Sequence, residues 1–277
     1  MPHRRSRRSV ATPNDPTAPA VTEHVIDGLP FSVFATASAA PGAETAAPPF
    51  VLVHGIGTSH RYLARLHGLL ARTADVYSID LPGFGGVAKP DGVPDVTAVA
   101  SGLATLLESL GVAGAIAIGH SMGAQWVTEL AVLRPDLVSR VVLIGPVTDD
   151  RHRTLRAQAV ALGLDTLGET PVVNAMVFTD YLRAGPVWFL QHAQFMRDYP
   201  LEHRVRELAG PMLVLRGGDD PVAGPDWCRR LRRAAPAGSR VVVVPGHRHV
   251  VQHTAAPAVA SAIRAFLADP APDPWRT

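Results

Sequence analysis

The sequence predicts an α/β fold: a mostly parallel sheet with helices on both faces, interrupted by one helical insertion. Three observations carry that expectation. Short unbroken apolar runs recur, FVLVH, AIAIG, VVLIG, MLVLRGG and VVVVPG, and a short run that does not alternate with polar residues reads as a strand buried on both faces. Helix-length stretches separate these runs, as crossover connections between parallel strands require. The alternation stops after Gly145 and resumes only at Pro211, leaving a long segment that reads mainly as helix. With 277 residues, 47% hydrophobic and 18% charged, the chain can bury a full core.

In order along the chain, residues 1–23 carry four arginines ahead of a Pro/Thr/Ala stretch without periodicity, and are expected to form a disordered basic tail. HVID and LPFSVFATA flank Asp27-Gly28 and read as an antiparallel hairpin. AAPGAETAAPP links this hairpin to the strand FVLVH at 50–54. Then come a helix near 59–72, the strand ADVYSID, a helix near 95–110, the strand AGAIAIG, a helix over 122–134 and the strand SRVVLIG at 139–145. After the insertion follow PMLVLRGG, a helix near 226–235, SRVVVVPG and a last helix near 257–268. The expected organisation is a core over 24–147 and 210–268, a helical cap over 148–209 and a C-terminal tail over 269–277. An insertion between two strands of an open sheet sits over the edge where strand C-termini converge and ligands bind.

Composition narrows the function. The tail holds four Arg against Asp15 and Glu23, which accounts for the whole net charge of +2 and leaves the rest of the chain formally neutral. A neutral domain lacks the basic stripe that nucleic acid requires, so no nucleic-acid partner is expected. SRRS looks like a twin-arginine export start, but no apolar run follows it, and no stretch nears the roughly 20 apolar residues that span a bilayer. The expectation is a soluble cytoplasmic protein without membrane insertion. Cys228 is the single cysteine, so one chain can build neither a disulfide nor a thiolate metal site.

The strongest chemical signal is Gly119-His120-Ser121-Met122-Gly123, which joins a predicted strand to a predicted helix. A G-x-S-x-G run in that setting is a sharp turn that lifts the serine hydroxyl above the sheet edge, beside a helix N-terminus that favours negative charge. Glycine-rich turns also bind phosphate, but the spacing of the phosphate-binding motifs is missing here. Together with HGIGTS (54–59), DLPGFG (80–85), LVLRGGDDPV (213–222) and VPGHRH (244–249), this run resembles the α/β-hydrolase superfamily, in its cap-bearing, esterase-like branch. The resemblance covers about residues 24–268, with the motifs in the family's order and spacing.

A serine hydroxyl needs a base within reach and a third group to orient that base. In this fold the chain order is serine, acid, histidine. Asp219 and Asp220 both follow the strand PMLVLRGG. The resemblance puts Asp220 in the Asp-Pro slot and leaves Asp219 as a solvated neighbour. Asp149 and Asp150 are a fallback position for the acid, and as aspartates before the insertion they also suit a helix N-cap. His247, His249 and His253 fall within VPGHRHVVQH, and either His247 or His249 could reach the sheet edge. The resemblance selects His249 as base, although Arg248 stands where a small residue is usual and keeps His247 as rival; His253 is expected to have a polar surface role. The three histidines lack an acidic or thiol ligand nearby, so no metal is expected. The backbone amides of Met122 and Ile56, with Gly57 as alternate to Ile56, are the expected oxyanion donors, and His54 is expected to orient the loop.

Six of the sixteen aromatic residues fall in 148–209, and Trp188, His192, Phe195 and Tyr199 share one helical face. Such a face either packs on the sheet or lines an apolar acyl pocket. The expected function is cofactor-free hydrolysis of an apolar, small to medium carboxylic ester or related acyl compound by Ser121, Asp220 and His249. The alternatives are hydrolysis of a C–C bond in a diketone-like substrate by the same residues, and ligand binding without physiological turnover.

Overall fold

A computed structural model describes residues 18–39, 47–149 and 171–268. Among the described residues, eight strands form one sheet in the order β1-β2-β4-β3-β5-β6-β7-β8. The hairpin strands β1 (Ala20–Ile26) and β2 (Leu29–Thr36) pair antiparallel, and β2 pairs antiparallel with β4 (Val76–Asp80). The remaining pairings are parallel and join β3 (Phe50–Val53), β4, β5 (Ala115–His120), β6 (Val138–Ile144), β7 (Met212–Gly217) and β8 (Arg240–Val244). The first strand begins at Ala20, inside the stretch expected to be tail, because Val21 and Thr22 continue the hairpin opposite Phe34 and Val33. Residues 1–17 and 269–277 lie outside the described residues, and with them most of both expected tails.

Strand residues alternate between two cores, as the two-residue period of a strand covered on both faces dictates. Val51, Val53, Ala115, Ala117, Val141 and Leu143 belong to one buried cluster, together with Leu103 and Leu130. Leu103 lies on α2 (Val96–Ser109) and Leu130 on α3 (Gly123–Leu133). Phe50, Leu52, Ile116, Ile118, Val142 and Ile144 belong to the other, together with Leu66 and Ile263. Those two side chains come from α1 (Ala64–Leu70) and from the C-terminal helix Ala256–Ala268. The helix expected over 59–72 is split, with a 3-10 turn at His60–Tyr62 preceding α1. Asp95 starts α2 by accepting the Ala98 amide at 2.8 Å, one of the free amides a helix N-terminus leaves over.

Between β6 and β7 the described part of the insertion consists of α4 (Pro171–Ala184), α5 (Pro186–Asp198), α6 (Leu201–Arg204) and a 3-10 turn at Val205–Glu207. α4 and α5 meet at Gly185, whose φ of +77° suits glycine, and Pro186 opens α5 where its missing N–H costs nothing. The face predicted from the aromatics packs inward: Trp188, His192 and Tyr199 are buried and Phe195 is partly so. His192 lies 4.8 Å from the Trp188 ring and 5.0 Å from Phe84 in the loop after β4. The end of the insertion is fastened to α3 through buried Glu129, which accepts from Tyr199 Oη at 2.7 Å and from Arg204 Nε at 2.8 Å. The chain is completed by α7 (Pro225–Ala234), α8 (Val251–Thr254) and α9, the helix Ala256–Ala268. Among the described residues no helix is long and apolar enough to cross a membrane.

Candidate active site

Ser121 stands between β5 and α3 with φ at +56°. A non-glycine residue rarely adopts that conformation, and it costs about 1–2 kcal/mol. The turn is locked by the Ser121 amide donating to Ile144 O at 2.9 Å. Both glycines of the motif are sterically required. A Cβ at 119 would lie 2.2 Å from Gly123 O, and one at 123 would lie 2.5 Å from Val53 O. The tight turn therefore brings α3 directly against β3 and β5, and leaves Ser121 at the C-terminal edge of the sheet.

Asp220 and His249, the expected acid and base, come from the next loops along that edge. Asp220 follows β7, is 4% exposed, and accepts His249 Nδ1–H at 3.0 Å through Oδ2. Its other oxygen accepts the amides of Val222 at 2.8 Å and Ala223 at 3.0 Å. Burial pushes this carboxyl up, but the His249 imidazole and the two amides outweigh burial and hold it below the usual carboxylate range. Since the carboxylate only accepts, His249 carries its proton on Nδ1 and turns an Nε2 lone pair outward from the pair. Gly145, at the end of β6, has a φ of +54°, and a Cβ there would sit 2.9 Å from His249 Nδ1. Only a glycine lets the Asp220–His249 pair lie against the strand end.

Among the described residues, none of the other candidate acids and histidines takes that position. Asp219 is exposed, and its amide donates to His247 O at 2.9 Å, which ties the acid loop to the histidine loop. The half-buried His247 ring bonds Thr254 Oγ1 at 3.0 Å. His253 corrects the expectation of a surface role: it is 9% exposed, because α8 packs it against the Tyr62 turn, and burial lowers its pKa. Asp149 forms a close ion pair with Arg230 of α7, and Asp150 lies outside the described residues. The histidines of VPGHRHVVQH thus face three different partners.

The Ser121 hydroxyl makes no hydrogen bond among the described residues. Ser121 and His249 are joined one residue away: His120 Nε2–H donates to the His249 carbonyl at 3.0 Å, and the two rings lie 4.8 Å apart. Burial, reinforced by the neighbouring His249, lowers the His120 pKa well below the ordinary value, so this ring is neutral at pH 7. Sequence reasoning gave His120 no role, nor Gly145, nor Arg216. Buried Arg216 donates to Ala223 O at 2.7 Å and Asp220 O at 3.1 Å, shaping the loop that carries Asp220. Its one legible signal was a cation inside the apolar run LVLRGG.

The expected oxyanion loop lies beside Ser121, since a Cβ at Gly55 would be 2.9 Å from Ser121 Cβ. Among the described residues the amides of Met122, Ile56 and Gly57 donate to no acceptor. His54 orients this loop: Nδ1–H donates to Gly55 O at 2.7 Å, while Nε2 accepts the Leu81 amide at 3.1 Å. Tyr181 of α4 and Trp188 of α5 lie over the loops after β3 and β4, where a Cβ at Gly57 or Gly83 would come within 2.4 Å of their rings. Among the described residues no three His, Cys, Asp or Glu side chains could hold a metal ion.

A family model described as the alpha/beta hydrolase family matches residues 50–262. The chain belongs to this family. An uncharacterised protein from Mycobacterium tuberculosis is 32% identical over 122 residues, 43% of this chain and 36% of its own length. The chain thus spans about a third of that relative. An Acinetobacter baylyi (E)-2-((N-methylformamido)methylene)succinate hydrolase is 26% identical over 248 residues, covering 79% of this chain and 90% of that protein. Among solved structures, the enol-lactonase of Burkholderia xenovorans superposes with a TM-score of 0.75 at 22% identity, over 89% of this chain and 100% of that one. This structural likeness speaks for the alpha/beta-hydrolase fold.

Proposed function

We propose that this alpha/beta hydrolase is a serine hydrolase of apolar, small to medium carboxylic esters or related acyl compounds. The observation that carries the reading is the buried Asp220–His249 pair, 3.0 Å apart and seated on Gly145, at the same sheet edge as Ser121 in its left-handed turn. The enol-lactonase likeness is in keeping with it, since a lactone is a cyclic ester.

Ser121 Oγ attacks the ester carbonyl while His249 Nε2 takes its proton. The free amides of Met122 and Ile56 stabilise the oxyanion of the tetrahedral intermediate. Asp220 holds the imidazole in the required tautomer and stabilises the imidazolium. The imidazolium then protonates the leaving alkoxide, leaving an acyl-serine. Water, deprotonated by His249, splits the acyl-enzyme and restores Ser121. Catalytic hydrogen bonds often tighten only with substrate bound, so a Ser121 hydroxyl that makes no hydrogen bond among the described residues is compatible with this sequence of steps. The insertion serves as a cap, with Tyr181, Trp188 and Phe189 walling an apolar acyl site.

A fluorophosphonate probe tests the assignment. Wild-type protein should be labelled at Ser121, with labelling lost in Ser121→Ala and His249→Ala and kept in His247→Ala. Labelling that survives Ser121→Ala refutes the nucleophile, and loss in His247→Ala with retention in His249→Ala reverses the base.

A further inference from the structure

The loop that carries Ile56 is held from two sides, and the second hold comes from the insertion. On the core side, His54 fastens its start, as described above. Asp80, buried at the end of β4, fastens its far end through the His60 amide at 2.5 Å and His60 Nδ1 at 2.7 Å. Within the loop, Thr58 closes on Gly55 O with its amide at 3.3 Å and its hydroxyl at 3.0 Å. From α4, Asp180 accepts the hydroxyl of Ser59 at 2.7 Å. Both partners are shut off from solvent, with Ser59 0% and Asp180 1% exposed. The next residue of α4, Tyr181, presses its ring on Gly57, which takes a φ of +72° to let the chain pass beneath it.

We propose that Asp180 is a positioning residue for the oxyanion hole, acting through Ser59 to couple the seating of α4 to the placement of the Ile56 amide. The inference rests on the hydrolase reading above. A buried carboxylate is costly unless its oxygens are matched by donors. Here Arg61 and Arg183 approach Asp180 only at 3.5 and 3.7 Å from half-exposed positions, whereas Ser59 is close and buried. The short bond crosses from the insertion to a backbone segment whose amides must point at a developing charge. When α4 is seated, residues 56–60 are held between Asp80, at His60, and Asp180, at Ser59. With the Asp180 contact gone, the Ile56 amide keeps its place in sequence but loses the constraint on its direction.

Misplacing a catalytic donor by about 1 Å costs up to roughly a hundredfold in rate, while ground-state binding by the acyl pocket is little changed. Ser59→Ala, Asp180→Asn and the double variant are therefore compared with wild type on a p-nitrophenyl ester, alongside inhibition by phenylboronic acid, whose serine adduct places an oxygen in the oxyanion hole. The expected result is a fall in kcat of roughly ten- to hundredfold in each single variant, with KM within about threefold. Boronate affinity should fall by the same factor as kcat/KM, and the double variant should be no worse than the poorer single one, because both remove one contact. Ser59→Ala deletes a single oxygen and keeps the test sound if Asp180→Asn folds poorly. A rise in KM at unchanged kcat, unchanged boronate affinity, or multiplying effects in the double variant overturns the proposal while the hydrolase reading stands. Wild-type protein that no fluorophosphonate labels at Ser121 overturns the hydrolase reading and this proposal with it.

Discussion

Replacing Asp220 by asparagine tests the acid–base pair through a tautomer that the surrounding backbone dictates. In the native site Oδ1 receives two amides, at 2.8 and 3.0 Å, and Oδ2 receives His249 Nδ1–H at 3.0 Å. An asparagine has one acceptor oxygen to divide between these two sides. If the oxygen faces Val222 and Ala223, the NH2 faces His249 Nδ1, which must then accept and carry its proton on Nε2 instead. That imidazole cannot take a proton from Ser121. The reverse orientation keeps the productive tautomer but sets the NH2 against two buried amides, losing two hydrogen bonds at about 1–3 kcal/mol each. The resulting bias of about 2–6 kcal/mol disfavours the productive form by roughly 30-fold to 10⁴-fold. Loss of imidazolium stabilisation adds to it, so kcat should fall by about 10³- to 10⁴-fold. The assay is turnover of a p-nitrophenyl ester at pH 7, with folding followed by circular dichroism and exposed Asp219→Asn as a control expected within about twofold of wild type. An Asp220→Asn variant that keeps a tenth of wild-type activity refutes the reasoning.

Two further predictions concern stability. His67, bonded to Ser78 and Thr36 at 2.8 Å each, and His192 beneath the insertion both have their pKa lowered by burial from the ordinary 6.5 to about 4. The unfolded chain binds these protons first, so stability falls as pH drops from about 6.5 toward 4 and levels off below. Each histidine contributes about 2 kcal/mol of that loss between pH 7 and 5. The urea midpoint should decline accordingly and less steeply in His67→Gln; equal midpoints for the wild type at the two pH values would falsify the linkage. Gly123→Ala and Gly68→Ala should move stability in opposite directions. A Cβ at 123 meets Val53 O at 2.5 Å, whereas one at 68, within α1, meets nothing within 4 Å. The first should cost at least about 3 kcal/mol and the second gain about 0.5–1 kcal/mol in urea unfolding. Matching signs for the two would contradict the packing described for the turn.

The sheet and the polar motifs were legible because each is set by local chemistry. Unbroken apolar runs identified β3, β5, β6 and β7, and G-x-S-x-G placed Ser121 in a strand-to-helix turn. What stayed hidden depends on partners distant in sequence. Glu129 reads as a charged position on an ordinary helix, and only the fold brings Tyr199 and Arg204 to it, 70 and 75 residues away. Tyr199 read as one more aromatic on an apolar face, although its hydroxyl is what fastens the insertion. His253 read as a surface residue from its place near a helix start, and Tyr62 and Arg65, far back in the chain, are what enclose it. Asp180 carried no signal at all, because the meaning of a buried carboxylate lies in the serine opposite.

Ser121 occupies a backbone conformation that suits glycine better than any other residue. Removing its side chain would therefore relieve strain and abolish the hydroxyl in one step. In a population of variants sorted only for resistance to heat, Ser121→Gly would be enriched, and the sorting would drive out the hydroxyl proposed as the nucleophile. Tolerance and turnover select against each other at this one position, so a thermal screen of this protein has to be run with an activity screen beside it.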